Sequence, residues 1–254
     1  MKAKEQRHQI MIEALREQGR IDVSQLKNSL GVTEMTIRRD LEVLEADGAL
    51  KRVHGGAILP VGSSFEPPFA SRRKSNVQSK IAIAHTVSES IADGETVLLD
   101  GGSTGLAIAN ALYDRVLTVC PLSLRVAAAL AGSTTISLRV PGGAVRAGEQ
   151  SFIGSDVLDY LDRHHFDHYI MTASGMSIPN GFTEWNPDDA AIKRKALTVS
   201  EQTIAAADSS KFGQTGFVRI CALSAPTVVV TDGLISDDEF VSLLASNAHS
   251  VRAS

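Results

Sequence analysis

Between Val32 and Leu44 the chain reads Val-Thr-Glu-Met-Thr-Ile-Arg-Arg-Asp-Leu-Glu-Val-Leu, a pattern that an amphipathic helix satisfies and a strand does not. Ile37, Leu41 and Leu44 recur at i, i+4 and i+7, which puts them on one stripe that needs a core. With the turn of an α-helix, Met35, Arg39, Glu42 and Ala46 point the other way, and Thr36, Arg38 and Val43 lie on the flanks. Thr33 is placed to cap the helix, its hydroxyl accepting from a first-turn N–H, and Glu34 suits the positive end of the dipole. Gly48, following Asp47, is placed as the C′ stop. Asp40, beside the buried stripe, is expected to make an ion pair or hydrogen bond inside its own domain. Two guanidinium forks near the start of a short helix match phosphate oxygens and guanine edges in a DNA major groove. Adjacent arginines on such a helix are more often a plain solvated face, so the flanking segments must decide.

Both flanks favour DNA. Ahead of the helix, residues 5–18 place Ile10, Ile12, Ala14 and Leu15 at helical spacing and Gly19 closes the segment. Asp22 is then positioned to cap a second short helix, with Gln25 in capping-box position and Leu26 and Leu30 at i, i+4. Gly31 makes the tight turn, so the order is helix, short helix, turn, helix: a helix-turn-helix with one helix in front. Behind it, Ala49-Leu50-Lys51-Arg52-Val53-His54-Gly55-Gly56-Ala57-Ile58 reads as two short strands around a turn, a wing. Lys51, Arg52 and His54 are expected to reach the sugar-phosphate backbone, where the glycine pair permits close approach. His54 is equally compatible with a structural turn role.

Thr-Ile-Arg-Arg-Asp-Leu, Leu-Glu-Ala-Asp-Gly and Arg-Val-His-Gly-Gly-Ala together resemble the signature of the DeoR family of bacterial transcriptional regulators, over residues 5–58. The resemblance implies DNA contacts from Thr33, Glu34, Met35, Thr36, Arg38, Arg39, Lys51, Arg52, His54 and Gly55.

The overall charge of −4 is unusual for a DNA binder until the chain is divided. Residues 1–80 carry 14 Lys and Arg against 10 Asp and Glu, whereas residues 81–254 carry 11 against 19. The basic excess therefore lies with the helix-turn-helix, and a larger acidic domain follows. A chain of 254 residues accommodates about two domains. Leu59-Pro60-Val61-Gly62-Ser63-Ser64-Phe65-Glu66-Pro67-Pro68 reads as the linker. The expected division is 1–58 for the DNA-binding domain, 59–75 for the linker and 76–254 for an effector-binding and oligomerisation domain. Phe69 to Lys80, with Arg72-Arg73-Lys74, fits either a brush against DNA or, preferably, docking on the second domain.

No apolar run approaches the ~20 residues of a membrane span, and the N-terminus lacks a signal-peptide apolar region. Cys120 and Cys221 stand alone in apolar surroundings, as buried free thiols in a reducing cytoplasm would. No metal or cofactor is expected. From residue 79 onward helical patterns near 79–92, 104–113, 123–131, 155–163, 188–201 and 237–246 alternate with apolar runs. Those runs are Thr96–Leu99, Leu117–Cys120, Ile136–Val140, Tyr169–Thr172, Ile204–Ala207 and Thr227–Val230. Short strands buried on both faces between helices imply a mostly parallel, three-layer α/β sheet, with ligands beyond the carboxyl ends of the strands.

Polar residues collect at those ends. Leu98-Leu99-Asp100-Gly101-Gly102-Ser103-Thr104 leaves a strand, turns on glycines and enters a helix, a geometry suited to an anion. An ionised Asp100 suits sugar hydroxyls, although a plain strand-turn-helix reads the same way. Val140-Pro141-Gly142-Gly143-Ala144, Met171-Thr172-Ala173-Ser174-Gly175 and Ala207-Asp208-Ser209-Ser210-Lys211-Phe212-Gly213 are further turns. Lys211 is a plausible cation for phosphate, with Asp208 to orient it or to bind hydroxyls. Asp189 and Lys193, at i, i+4, are on the simplest reading a surface ion pair of little worth.

These elements resemble the sugar-phosphate-sensing C-terminal domain of the same family, related in fold to ribose-5-phosphate isomerase, across roughly residues 76–233. The resemblance implies effector contacts from Lys80, Asp100, Gly102, Ser103, Thr104, Gly143, Ser174, Asp189, Lys193, Asp208 and Lys211. Where the family usually has Thr-Asn-Ser after the second strand, this chain has Pro121-Leu122-Ser123, so an Asn able to contact a sugar is missing. The chain is expected to be a cytoplasmic repressor of a carbohydrate-utilisation operon, acting as a homodimer or homotetramer on operator DNA under control of a phosphorylated sugar. Two alternatives for the second domain are an isomerase-like sugar-phosphate enzyme and a dimerisation module that binds nothing small.

Overall fold

A computed structural model of the chain describes residues 2–46, 50–58, 66–246 and 249–253. The expected stop at Gly48 and the stretch Leu59–Phe65 of the expected linker lie outside the described residues. The chain divides into two compact units, Met1–Arg72 and Arg73–Ser254.

The first unit runs α1 (Lys2–Gln18), β1 (Arg20–Asp22), α2 (Val23–Leu30), α3 (Glu34–Ala46), β2 (Lys51–Val53) and β3 (Gly56–Ile58). Its core is the stripe of α3, with Ile37, Leu41 and Leu44 at most 4% exposed, closed by Met11, Leu15, Leu26, Leu50 and Ala57. The buried face of α1 is turned slightly from the expected one. Met11 and Leu15 are its fully buried pair, Ile12 and Ala14 are half-buried, and Ile10 is 42% exposed. Met11 and Leu15, at i, i+4, share the face turned to the core, and Ile10 lies off it.

Gly31 leaves α2 in the left-handed conformation (φ 64°), its N–H returning to the Lys27 carbonyl, and makes the tight turn before α3. Asp22 has the extended backbone of an N-cap but makes no capping bond. Its carboxylate meets Arg20 at 3.3 Å, and its backbone is taken up by a strand the sequence pattern did not show. β1 pairs antiparallel with β3, so the wing has three strands in the order β1-β3-β2. Gly56 is required here for internal packing, since a Cβ on it would lie 2.0 Å from the Ile21 carbonyl oxygen.

α4 (Phe69–Lys74) spans the division between the units, and α5 (Val77–Glu89), β4 (Thr96–Leu99), α6 (Gly102–Leu112), β5 (Thr118–Pro121) and α7 (Leu124–Leu130) follow. Next come β6 (Ser137–Leu138), the hairpin β7 (Ala144–Val145) and β8 (Phe152–Ile153), α8 (Ser155–Asp162), β9 (Phe166–Met171), β10 (Gly175–Ser177) and β11 (Gly181–Glu184). The chain continues through α9 (Pro187–Thr198), β12 (Ser200–Ala206), β13 (Val218–Cys221), β14 (Val228–Asp232), α10 (Asp237–Ala245) and β15 (Ser250–Ala253). Seven strands form one parallel sheet in the order β15-β14-β12-β9-β4-β5-β6.

Alternation along each strand makes the three layers. Val97 and Leu99 of β4 face α5, α6 and α7 through Ile83, Val87, Ile108, Leu112 and Val126. Leu98 between them faces α8 and α9 through Val157, Leu161, Ala190 and Ala196. The expected three-layer α/β domain is therefore present, with edges the hydrophobic pattern did not mark. β15 is half-exposed, and the strand expected over Ile136–Val140 is only two residues long.

A separate antiparallel sheet, β10-β11-β13, begins at Gly175, which was expected to sit in a turn. Gly175 and Gly181 let its backbones approach closely. A Cβ at either would lie 2.5 and 2.1 Å, respectively, from a neighbouring carbonyl oxygen. Cys120 is buried and Cys221 only half-buried. Burial pushes their thiols up to about 12 and about 11, so both stay protonated.

Candidate functional site

In the first unit, one face of α3 is left over once the core is made. Thr33 Oγ1 accepts from the Thr36 N–H at 3.2 Å, the expected cap. Met35 is 62% exposed, and Arg38 and Arg39 are exposed and make no ion pair among the described residues. Glu34 lies 3.7 Å from Lys27 on the surface.

Asp40, 3% exposed, receives Arg7 Nε at 2.5 Å and His8 Nε2 at 2.9 Å. Burial opposes its charge, but those two hydrogen bonds outweigh it and hold the carboxyl below the usual range. The pair ties α1 to α3 and fixes the angle at which the arginine face is presented.

On the wing, Lys51 and His54 are exposed, and Gly55 takes φ 81° in the turn. Arg52 is occupied differently. Its guanidinium meets Glu42 at 3.0 Å and Glu45 at 3.9 Å, and its N–H donates to Glu45 Oε1 at 2.8 Å. Glu42 and Glu45 thus lash the wing to α3, a register between hairpin and helix that no local sequence signal carries.

In the second unit the parallel strands deliver their carboxyl ends to one edge of the sheet. Asp100, 5% exposed, follows the last residue of β4. Its Oδ1 accepts from Gly101 N–H at 2.8 Å, and its Oδ2 accepts from the Thr172 N–H and hydroxyl, both at 3.0 Å. Lys193, from the middle of α9, approaches the same oxygen at 2.9 Å, donates to Glu184 Oε2 at 2.5 Å and to the Thr172 carbonyl at 2.9 Å. All three ammonium donors are thereby used.

Glu184 also accepts from the Ser174 hydroxyl and from Trp185 N–H. Burial opposes ionisation of Glu184, but Lys193 reverses the balance and its carboxyl falls below the usual value. Lys193, although burial opposes its charge, is held charged beyond the ordinary lysine range by Asp100 and Glu184. Tyr169, fully buried beside Asp100, is pushed well above the ordinary phenol value by burial and by that charge.

The expected surface pair Asp189–Lys193 does not form, and neither residue is on the surface, each being 6% exposed. Asp189 accepts from Ser151 Oγ at 2.6 Å and meets Arg146 at 2.7 Å. Burial outweighs those partners and raises its carboxyl. Neither Glu184 nor Arg146 was singled out in the sequence, because Glu184 meets Lys193 and Ser174 only across a strand, a loop and a helix start, and Arg146 meets Asp189 from a distant loop.

The loop into α6 is tight and polar. Gly102 takes φ 79°, and a Cβ on Gly105 would lie 2.3 Å from the Asp100 carbonyl oxygen. Ser103 and Thr104 are buried in the first turn, and the N-cap Gly101 supplies no side-chain cap. A Cβ on Gly101 would sit 3.1 Å from Ser123 Cβ and 4.0 Å from Glu149 Oε1. Ser123, just past the end of β5, and the buried Glu149, a residue sequence reasoning passed over, thus face this loop, whereas Leu122, in the position of the family Asn, is buried in the core.

Lys80 and Ser103 line one groove between α5 and α6, and Lys80 donates to the Ser75 carbonyl. Asp208 accepts from Asn76 at 2.9 Å and from the Ser210 hydroxyl at 2.5 Å. Lys211 lies 5.5 Å from the centre of the Trp185 ring, next to Glu184. Gly143 (φ 84°) is set against Val157, Ile153 and Asp156, outside the Lys193 cluster.

Among the described residues no group of three His, Cys, Asp or Glu side chains is placed to hold a metal ion, and no helix is long and apolar enough to cross a membrane. Two family models match: the DeoR-like helix-turn-helix domain over residues 7–61 and the DeoR C terminal sensor domain over residues 75–233. The chain is 34% identical over 227 residues to the uncharacterized HTH-type transcriptional regulator YulB of Bacillus subtilis, spanning 89% of this chain and 88% of that one. It is 32% identical over 228 residues to the glycerol-3-phosphate regulon repressor of Escherichia coli, spanning 89% and 90%. Among solved structures, a ribose 5-phosphate isomerase A from Methanocaldococcus jannaschii is similar over 54% of this chain and 55% of that one, at 16% identity and a TM-score of 0.42.

Proposed function

The chain belongs to the DeoR family of transcriptional regulators, and from that membership we propose that it is a cytoplasmic repressor of a carbohydrate-utilisation operon whose operator affinity is set by a phosphorylated sugar. In this reading residues 1–58 read DNA, 59–75 link, and 76–254 bind the effector and hold the oligomer together. The close correspondence of the two family models and the two compact units to that division supports it.

α3 enters the major groove. Arg38 and Arg39 meet guanine edges or phosphates, Thr33, Glu34, Met35 and Thr36 line the approach, and Lys51, His54 and Gly55 follow the backbone. Arg52 reaches a phosphate only by exchanging its hold on Glu42.

The observation that carries the effector half is the first turn of α6. A helix of 11 residues starts on a double-glycine loop without a side-chain cap, and its Ser103 and Thr104 hydroxyls are buried there. Such a turn offers amides and hydroxyls to a phosphate, with the helix dipole adding to the attraction. Lys80, which lines the groove beside Ser103, and Lys211 supply positive charge.

Asp100, Ser174, Asp189, Lys193 and Asp208 are engaged with one another or with protein neighbours, so their part is to hold the loops at the ligand's contour. A sugar's hydroxyls face the end of β5, where Glu149 and Ser123 lie beside Gly101, while Leu122, in the position of the family Asn, is buried in the core. The isomerase-like alternative fares worse. A carboxylate already receiving several donors, as Asp100 and Glu184 do, is a poor general base.

A thermal-shift screen of phosphosugars against the full chain tests the reading. A ligand at 100 times its dissociation constant stabilises by about 2.7 kcal/mol, and Ser103→Glu abolishes that shift. A panel with no hit overturns the sensor reading, and turnover of the hit reinstates the enzyme.

A further inference from the structure

The chain passes from α4 into α5 through a break at Ser75 and Asn76, and that break is clasped from two sides. Asn76 takes φ 50° and ψ 41°, and among the described residues only Gln150 shares a positive φ without being glycine. Such a residue is strained, and it persists where its surroundings over-determine it, as they do in switch regions. Asn76 stands at the N-cap of α5 but gives that helix no side-chain cap. Its Nδ2 donates instead to Asp208 Oδ1 at 2.9 Å and to Ser210 Oγ at 3.1 Å, tying the break to the short turn Ser209–Lys211. From the other side the Lys80 ammonium, reaching back past the start of α5, donates to the Ser75 carbonyl. Lys80 is 5% exposed and lines the groove between α5 and α6 together with Ser103.

We propose that Lys80 and Asn76 form a two-point clasp on the break between α4 and α5, and that an effector's phosphate opens it by drawing Lys80 off the Ser75 carbonyl. The inference rests on the α6 turn being the phosphate site, and it names how occupation of that site is reported. A nearly buried ammonium gains far more from a full negative charge than from a carbonyl dipole, and its four-carbon stem lets it change partner. Once the ammonium turns to a phosphate at Ser103, the Ser75 carbonyl loses that bond where the backbone is already strained. The Asn76 tether alone then holds the break, and the joint loosens. Phosphate therefore binds more tightly to the arrangement in which Lys80 has left Ser75, and that unequal affinity is what a ligand needs to shift an equilibrium. Because α4 spans the division between the units, a loosened joint is an event the DNA-reading unit can feel.

Trypsin reads the joint directly, because Arg73 and Lys74 immediately precede it and are exposed. Cuts after these two residues are timed by mass spectrometry in the full chain, with inorganic phosphate as the probe and chloride at equal ionic strength as the control. Phosphate should raise the melting temperature of the wild type and speed those cuts about 5-fold, the low end of typical coupling. Lys80→Met should be cut at the fast rate with or without phosphate. Asn76→Gly accepts the left-handed backbone without strain and leaves Lys80 and Ser103 in place. Its melting temperature should respond to phosphate like that of the wild type, while its cutting is fast throughout. A phosphate-dependent melting temperature with an unchanged cutting rate, or slow cutting in a folded Lys80→Met, would leave the site standing and overturn the clasp. Slow, phosphate-dependent cutting in Asn76→Gly would overturn it as well, even if Lys80→Met were misfolded. A wild type whose melting temperature ignores phosphate would sink the site, and the clasp with it.

Discussion

The two units treat charge in opposite ways. Among the described residues of Met1–Arg72 the interior takes one carboxylate, Asp40, satisfied by Arg7 and His8, and nearby Arg38 and Arg39 are left exposed. In Arg73–Ser254 the charges that look most like ligand contacts, Asp100, Glu184, Asp189 and Lys193, are all buried and spend their hydrogen bonds on protein partners. Recognition in the first unit falls to what the core leaves unpaired. In the second, on the proposed reading, it falls to the amides and hydroxyls of the α6 turn with Lys80 and Lys211 beside them, mounted on a charged frame. On that reading, a polyanionic duplex would be met by exposed cations on a helix, whereas a small anion in a buried turn would be met by dipoles already aimed at it.

If the frame is structural, its removal should have the largest effect. Lys193→Met leaves Asp100 and Glu184 buried without their cation, and the sensor unit is expected to lose about 3–5 kcal/mol in urea unfolding. A loss near zero would mean that water reaches the cluster. Asp40→Asn should cost the DNA-reading unit about 1.5–3 kcal/mol, because charge-assisted bonds from Arg7 and His8 are lost.

That second effect carries a pH signature. The Asp40 carboxyl is lowered on folding, so its stabilisation is complete above the unfolded carboxylate value of about 3.9 and fades as pH drops through the lower folded value. Across that acid window the difference between wild type and Asp40→Asn should shrink, and a constant difference would exclude the ionised pair. Arg38→Ala and Arg39→Ala act on the exposed side of the comparison. Each is expected to weaken operator binding by about 1–3 kcal/mol with an unchanged melting temperature, and full affinity in both would remove α3 from the groove. The smallest effect belongs to Glu42→Ala, which frees Arg52 from an exposed pair worth about 0.2–1 kcal/mol to stability.

What was legible in the sequence follows the same division. The recognition helix, its Thr33 cap and its Ile37, Leu41 and Leu44 stripe are local patterns, and a periodicity of 3.6 reports them directly. The parallel sheet was legible because strands buried on both faces are short continuous apolar runs. The strands missed, β1, β7, β8, β10, β11, β13 and β15, are all short, two to four residues, and are held by pairing with other strands rather than marked by a continuous apolar run. Asp189 and Lys193 misled because helical spacing suggests a mutual pair, while tertiary structure turned each inward to partners from other loops. Glu149 had no sequence signal at all, since its place beside Gly101 depends on the path of the loop from Arg146 to Ser151.

The central claim is that an anion at the α6 turn of one unit alters DNA binding by the other, and the direct measurement is operator affinity titrated with the strongest phosphosugar from the thermal screen. With a duplex selected by the full chain, the account predicts a change of about 5–150-fold, the range of typical coupling energies. It further predicts that Ser103→Glu binds the ligand-free operator like wild type and ignores the sugar. An undiminished ligand response in Ser103→Glu, or wild-type affinity that no phosphosugar alters, would contradict it.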